Sequence, residues 1–210
     1  TETVQNSQKS KDNFPTNEKV FKKQLDFILE DIKPDAIKIG LIGSYEIARA
    51  IKNFLEKTKM PIVIDPVIGP TSGNSFLNTK AIEFMRDELI PLASIVTPNE
   101  EELFKLSNKK NVENSIESLY ELGVKNVLVT GKIKNKKIMN YLFSDGSNTL
   151  QFKNHLLQGN FHGTGCMLSS LLTVFLAKKF SVVDSCEKAS NQTNSYLKLF
   201  KKIGKGQKLL

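Results

Sequence analysis

The chain has 210 residues, 40% of them hydrophobic and 25% charged, which suits a folded globular chain with a substantial core and excludes a disordered or collagen-like polymer. Its net charge of +8 comes mostly from scattered lysines without interleaved aromatics or a DNA-binding motif, so a solvated basic surface is expected and a nucleic-acid partner is not. No apolar run approaches the roughly 18 residues of a membrane span, which excludes a helical membrane anchor.

After a polar opening that holds no apolar signal core, Val20, Leu25, Ile28, Leu29 and Ile32 recur at helical spacing until Lys33-Pro34 stops them. The run Ala36 to Gly40 predicts a short buried strand. Ser44 is placed to cap a second helix, with Glu46 in its first turn and Ile47, Ile51, Phe54 and Leu55 on one face. The β-branched run Pro61 to Asp65 predicts a strand that ends in a carboxylate. A helix near Lys80 to Leu89, strand SIVT, helices from Glu100 and near Val112 to Leu122, and strand Asn126 to Thr130 follow. Segments KIMNYLF and TLQF around SDGSN predict a hairpin with an Asp-Gly turn. Met167 to Ala177 is apolar nearly all round and predicts a buried helix; Val182, Val183, Cys186, Ala189, Thr193, Tyr196 and Phe200 mark an amphipathic partner. Strands alternating with helices predict βαβ units: an α/β fold of three layers, with a mainly parallel central sheet, helices on both faces and residues 1–210 in a single domain. The two cysteines cannot build a disulfide framework, so a reducing, cytoplasmic setting is expected.

Ligands of such sheets bind beyond the carboxyl ends of the strands, where Asp65-Pro66-Val67, Thr97-Pro98-Asn99 and Thr130-Gly131-Lys132 stand. The segment HGTGC, His162 to Cys166, directly precedes the apolar helix. Its glycines allow a tight turn that leaves backbone N–H donors at a helix N-terminus, an arrangement that binds anions. Cys166 at that positive end is expected to have its thiol lowered toward neutrality and to accept a proton from an attacking hydroxyl. The plainer alternative is a tight loop feeding a core helix. Asp65 either orients Mg²⁺ through water or opens a turn. Asn99 and Glu102 either face one bound Mg²⁺ or form an N-cap with an acidic first turn.

In this order, DPV, TPNxxE and GTGC resemble the ribokinase superfamily. With DAIKIGLIGS (Asp35 to Ser44), HGTGCMLSS and VQNS (Val4 to Ser7), the chain is most similar to hydroxymethylpyrimidine and phosphomethylpyrimidine kinases, whose relatives include some pyridoxal kinases. The resemblance implies a ribokinase-like fold and ATP- and Mg²⁺-dependent phosphorylation of a small aminopyrimidine, or of its phosphate, in thiamine biosynthesis. It implies an anion hole of Gly163, Thr164, Gly165 and Cys166 with Cys166 as base, and Asn99 and Glu102 organising Mg²⁺. It further implies Asp65 and Thr130 beside the nucleotide phosphates, Gln5 pairing with the pyrimidine, Leu41 and Val67 lining the ring pocket, and a homodimer. His162 is expected to brace the loop. Thr71 and Thr130 stand where that family carries lysines, which removes cations from the phosphate region, and Lys132 points elsewhere. Relative to the family the chain is expected to be N-terminally incomplete, leaving a sheet edge that needs cover. The rival expectations are a pyridoxal kinase and a non-catalytic remnant that binds without transfer.

Overall fold

The computed structural model describes residues 1–69, 75–144 and 149–208. The polar opening forms an antiparallel ribbon, β1 (Glu2–Gln5) and β2 (Ser10–Phe14), which the sequence pattern did not announce. Its turn is closed by Asn6, whose Oδ1 accepts from the N–H groups of Gln8 and Lys9 at 2.9 and 3.0 Å. The β-branched runs then build a six-stranded sheet in chain order: β3 (Ile37–Ile39), β4 (Ile62–Ile64), β5 (Ile95–Val96), β6 (Asn126–Lys134), β7 (Lys137–Ser144) and β8 (Leu150–His155). Strands β3 to β6 pair in parallel, and β7 and β8 add antiparallel. The Asp-Gly turn expected between β7 and β8 lies outside the described residues, as does Thr71.

Helices cover both faces because the strands are apolar on both sides. Ile62, Ile64, Val96, Val127 and Val129 pack toward α2 (Tyr45–Leu55), α3 (Thr79–Phe84), α4 (Glu100–Ser107) and α5 (Val112–Glu121). Helix α1 (Glu18–Asp31) reaches this layer through Phe21. Val63, Ile95, Leu128 and Leu142 pack toward α6 (Thr164–Ala177) and α7 (Val182–Leu197), where Cys186 is fully buried and burial pushes its thiol up to about 12. Among the described residues no helix is long and apolar enough to cross a membrane.

Some elements depart from the sequence expectation. The helix expected to run regularly to Leu89 opens after Phe84 into a π turn, Met85–Leu89, and a 3₁₀ turn, Ile90–Leu92. This brings Met85, Leu89 and Ile90 to full burial together. Helix α6 is not buried all round: Leu168, Ser169, Leu172 and Leu176 face the sheet, while Val174 is 47% exposed, because one helical layer covers this face. Strand β3 ends the sheet, and an apolar cavity of about 290 Å³ lies beside it, lined by Phe21, Leu25, Ile51 and Phe54 among others.

Strand β6 extends past Thr130, and its register against β7 shifts between Val129 and Lys132. Buried Asn140 on β7 fixes this bulge: its Oδ1 accepts from Gly131 N at 3.0 Å and its Nδ2 donates to Ser190 Oγ on α7 at 3.0 Å. Removing the amide leaves the buried Ser190 hydroxyl without its partner, at about 1–3 kcal/mol, and also frees the Gly131 N–H. Asn140→Ala should therefore lower unfolding stability in urea by about 2–3 kcal/mol with the denaturant slope unchanged. An unaltered midpoint would show that the bulge does not depend on Asn140.

Candidate active site

Asp65 follows β4 and is only 4% exposed, so its carboxylate needs internal partners. Its backbone N–H continues the ladder to Ile39 O at 2.8 Å. Lys38, the middle residue of β3, brings Nζ to 3.4 Å from Asp65 Oδ2. Ser169, fully buried in the second turn of α6, donates its single proton to the same oxygen at 3.0 Å. That charge-assisted bond outcompetes the carbonyls of Gly165 and Cys166, also within reach at 3.0 and 3.1 Å. Neither Lys38 nor Ser169 was among the candidate residues. Both had left a signal: a lysine between two isoleucines of a short strand, and a serine in an apolar helix, each demand a partner.

Asn99 and Glu102 form a reciprocal capping box on α4, with Glu102 N donating to Asn99 Oδ1 at 2.9 Å and Asn99 N to Glu102 Oε2 at 3.0 Å. Burial pushes the Glu102 carboxyl up to about 7; the bond from Asn99 N–H opposes this, and the charge of Asp65 adds to it. Thr130 lies beside this cap, bridged in parallel to Asn99 and donating its N–H to Pro98 O at 2.9 Å. Lys132 is held away by Glu100, Nζ to Oε1 2.6 Å.

Helix α6 begins differently from every other α-helix. Asn17, Ser44, Asn78, Asn99, Asn111 and Ser181 each cap their helix through a side-chain oxygen, whereas α6 has Gly163 at its N-cap and no side-chain cap. Gly163 sits at φ +78°, a conformation that favours glycine. A Cβ at Gly163 or Gly165 would meet nothing within 4 Å, and no side chain caps the first N–H groups of α6. Cys166 stands in this turn, but its thiol is not lowered toward neutrality. Partial burial pushes it up, the carboxylates of Asp65 and Glu102 add to that, and only Lys38 opposes. Burial first and nearby carboxylates second set the direction here.

The substrate-side candidates come from three separate stretches of the chain. Val67 is half-buried just after Asp65, with its N–H on Asp65 O at 2.8 Å. Leu41 lines the cavity beside β3, together with Thr1 at the base of the ribbon. Gln5 is exposed at the end of β1, and its side-chain amide has no hydrogen bond among the described residues. His162 braces its loop, with Nδ1 3.1 Å from Gln207 Oε1 and its N–H on Lys208 O at 3.0 Å.

This arrangement occurs in a sequence that matches the phosphomethylpyrimidine kinase family across residues 1–210. The chain belongs to that family. A hydroxymethylpyrimidine/phosphomethylpyrimidine kinase of Aquifex aeolicus is 31% identical over 215 residues, covering 99% of this chain and 84% of its own length. A probable thiamine biosynthetic bifunctional enzyme of Oryza sativa is 32% identical over 86% of this chain, which spans 34% of that longer protein. Among solved structures, a phosphomethylpyrimidine kinase from Clostridium difficile superposes with a TM-score of 0.77 at 30% identity, over 93% of this chain and 83% of its own. A pyridoxal kinase from Staphylococcus aureus in complex with AMP-PCP and pyridoxal gives 0.85 at 26% identity, over 99% and 78%. The fold of this family member is thus the ribokinase-like one of phosphomethylpyrimidine and pyridoxal kinases.

The raised Glu102 carboxyl sets a sign for stability. Below its ordinary value of 4.5 the group is protonated in both folded and unfolded chains; between 4.5 and about 7 only the folded chain holds the proton. Stability is therefore lost as pH rises through that window, by an amount on the order of 2 kcal/mol. Glu102→Gln keeps a cap acceptor and removes the ionisation. Calorimetry at both pH extremes should show the variant matching the parent at pH near 4.5 and melting higher above pH 7. An equal offset at both would refute the charge penalty.

Proposed function

We propose that the chain transfers the γ-phosphoryl group of ATP to the hydroxymethyl oxygen of 4-amino-5-hydroxymethyl-2-methylpyrimidine, and to the phosphate of the product, as a step of thiamine biosynthesis. The observation that carries this is the convergence, at the carboxyl edge of one sheet, of the Asp65 and Glu102 carboxylates with the uncapped N–H donors of α6; the Cys166 thiol feels Asp65, Lys38 and Glu102 at once. The acceptor oxygen attacks the γ-phosphorus in line, and its new bond forms as the bond to the β–γ bridging oxygen breaks and ADP departs with that electron pair. The N–H groups of Thr164, Gly165 and Cys166 hold the charge on the transferring group without reorganisation. The thiolate form of Cys166, a minor fraction at neutral pH because the thiol is raised, takes the hydroxyl proton.

Among the described residues no group of His, Cys, Asp and Glu forms a closed metal cage. A pair of carboxylates with water and substrate phosphate is the donor set Mg²⁺ prefers, and Glu102 and Asp65 fit it. When bound, Mg²⁺ neutralises phosphate oxygens. Asn99 commits Oδ1 to the Glu102 N–H, so it serves by fixing Glu102. Thr130, bridged to Asn99, would face the nucleotide in this reading. Gln5 has a free amide donor and acceptor to offer an aminopyrimidine, with Val67 and Leu41 as apolar neighbours of the ring. The exposed free thiol of Cys166 suits a reducing compartment such as the cytoplasm.

The likeness to pyridoxal kinases favours one second reading, transfer to pyridoxal; turnover with the two acceptors side by side decides between them. Exposed Val4 and Phe14 on the ribbon, and Val20, Phe27, Ile28 and Ile32 on and after α1, favour a homodimer that covers them. Light scattering should give the mass of two 23.6 kDa chains, and a monomer at micromolar concentration would end that part of the proposal.

General-base assistance contributes about 10²–10⁴-fold, so Cys166→Ala should lower kcat within that range while KM for ATP stays put. Because the thiol is pushed up, the thiolate fraction and kcat/KM should climb with pH through the alkaline range. Cys166→Asp, a base ionised at neutral pH, should move that rise to lower pH and keep more activity than the alanine variant. A Cys166→Ala enzyme as fast as the parent would show the thiol to be packing only. A parent inactive toward both acceptors would leave a binding protein.

A further inference from the structure

The β1–β2 ribbon is two strands with no core of its own; its residues are exposed or half-buried, and such a ribbon is marginal in isolation. Its position is set by hydrogen bonds at its ends. At the base, Thr1 Oγ1 donates to Ile42 O after β3 at 3.0 Å, and Asn13 Nδ2 donates to Phe76 O in the segment between β4 and α3 at 3.2 Å. These anchors lie in segments that follow the carboxyl ends of strands, the same edge that carries Asp65 and Glu102.

The tip is held by a different part of the chain. Gln207 N donates to Ser7 O at 2.7 Å, and Gly206 N to Ser7 Oγ at 3.2 Å. The same tail then pairs with the loop that leads into Gly163. Lys208 N donates to Asn160 O at 2.8 Å, His162 N donates back to Lys208 O at 3.0 Å, and Lys208 Nζ reaches Gln158 O at 3.0 Å. The fit requires glycine at 206, where a Cβ would overlap the Ser7 backbone carbonyl; at Gly204 a Cβ would displace only the Ser7 hydroxyl.

We infer that residues 204–208 are a clasp that ties the ribbon tip to the loop feeding the anion-binding turn, and so holds Gln5 in place over the acceptor site. Gly206 and Gln207 are thus positioning residues for acceptor binding. What the ribbon closes over rests on the kinase reading above; the clasp itself does not. Without it the ribbon swings on its base, and the binding-competent fraction falls. Apparent affinity falls in proportion, so a ribbon closed a tenth of the time raises the acceptor KM about tenfold.

Hydrogen–deuterium exchange and steady-state kinetics test this together. In the parent chain the amides of Gln207, Lys208 and His162 should exchange slowly, because each has a backbone acceptor. Gly206→Val should speed exchange across residues 2–14 but not in α6 or α7. It should also raise KM for the hydroxymethylpyrimidine about tenfold while kcat and KM for ATP hold. Gln207→Pro, which removes the N–H to Ser7 O, should reproduce both effects. Fast exchange at Gln207 and Lys208 in the parent, or an unchanged ribbon in Gly206→Val, would overturn the clasp. If the parent turns over neither acceptor, the exchange arm still decides the clasp while the kinase reading alone fails. If Gly206→Val does not fold, the parent's exchange and Gln207→Pro decide.

Discussion

A nearly buried carboxylate, Asp65, organises this molecule. Left without partners, a buried charge of this kind would cost the fold several kcal/mol. Lys38 from β3 and Ser169 from α6 prevent that by converging on one of its oxygens. Their convergence fixes how β3, β4 and α6 sit relative to one another. The uncapped first turn of α6 is thereby held at a set place above the sheet edge, about one helical turn from Ser169. A donor array for phosphate works only if it is rigid before the ligand arrives, and this ion pair supplies that rigidity.

Around Asp65 the site carries more negative character than it can comfortably hold. Glu102 is raised toward neutrality and the Cys166 thiol is raised as well, both by burial and by carboxylates. Such groups lower the stability of the resting protein and make sense where cations and a proton-bearing substrate are to be received. The lysine balance is consistent with this. Lys132 is engaged by Glu100 on the outer side of the cap, which leaves Lys38 as the lysine paired to Asp65. On the proposed kinase reading, the phosphate region leans on backbone donors more than on mobile side-chain cations.

Fixed and movable parts are separated in the fold. The sheet and α6 are locked by buried contacts, whereas the ribbon with Gln5 rests on hydrogen bonds to loops and to the tail. Elements with little buried apolar surface open at low cost, and acceptor entry needs an element of that kind. The bulge at Thr130–Gly131 belongs to the fixed part, since Asn140 ties it to α7.

The sequence by itself determined the alternation of strands and helices, their order, and the positions of Asp65, Asn99, Glu102 and the Gly163–Cys166 turn. Those are local properties: β-branched runs make strands, Ser44 and Asn99 make caps, and Gly163 accepts a left-handed backbone where a side chain would strain. Only the tertiary structure decided what depends on neighbours distant in the chain. It showed that Lys38 and Ser169 neutralise Asp65, that Lys132 faces Glu100, and that Asn140 holds the Thr130 bulge. It reversed the expected direction for Cys166, because a helix end is legible in sequence while the burial of the thiol and the carboxylates of Asp65 after β4 and Glu102 on α4 come from distant parts of the chain. It also revealed the ribbon of a polar, patternless opening: the hydrogen bonds that hold Ser7 come from Gly206 and Gln207 at the far end of the chain, where no local signal could announce them.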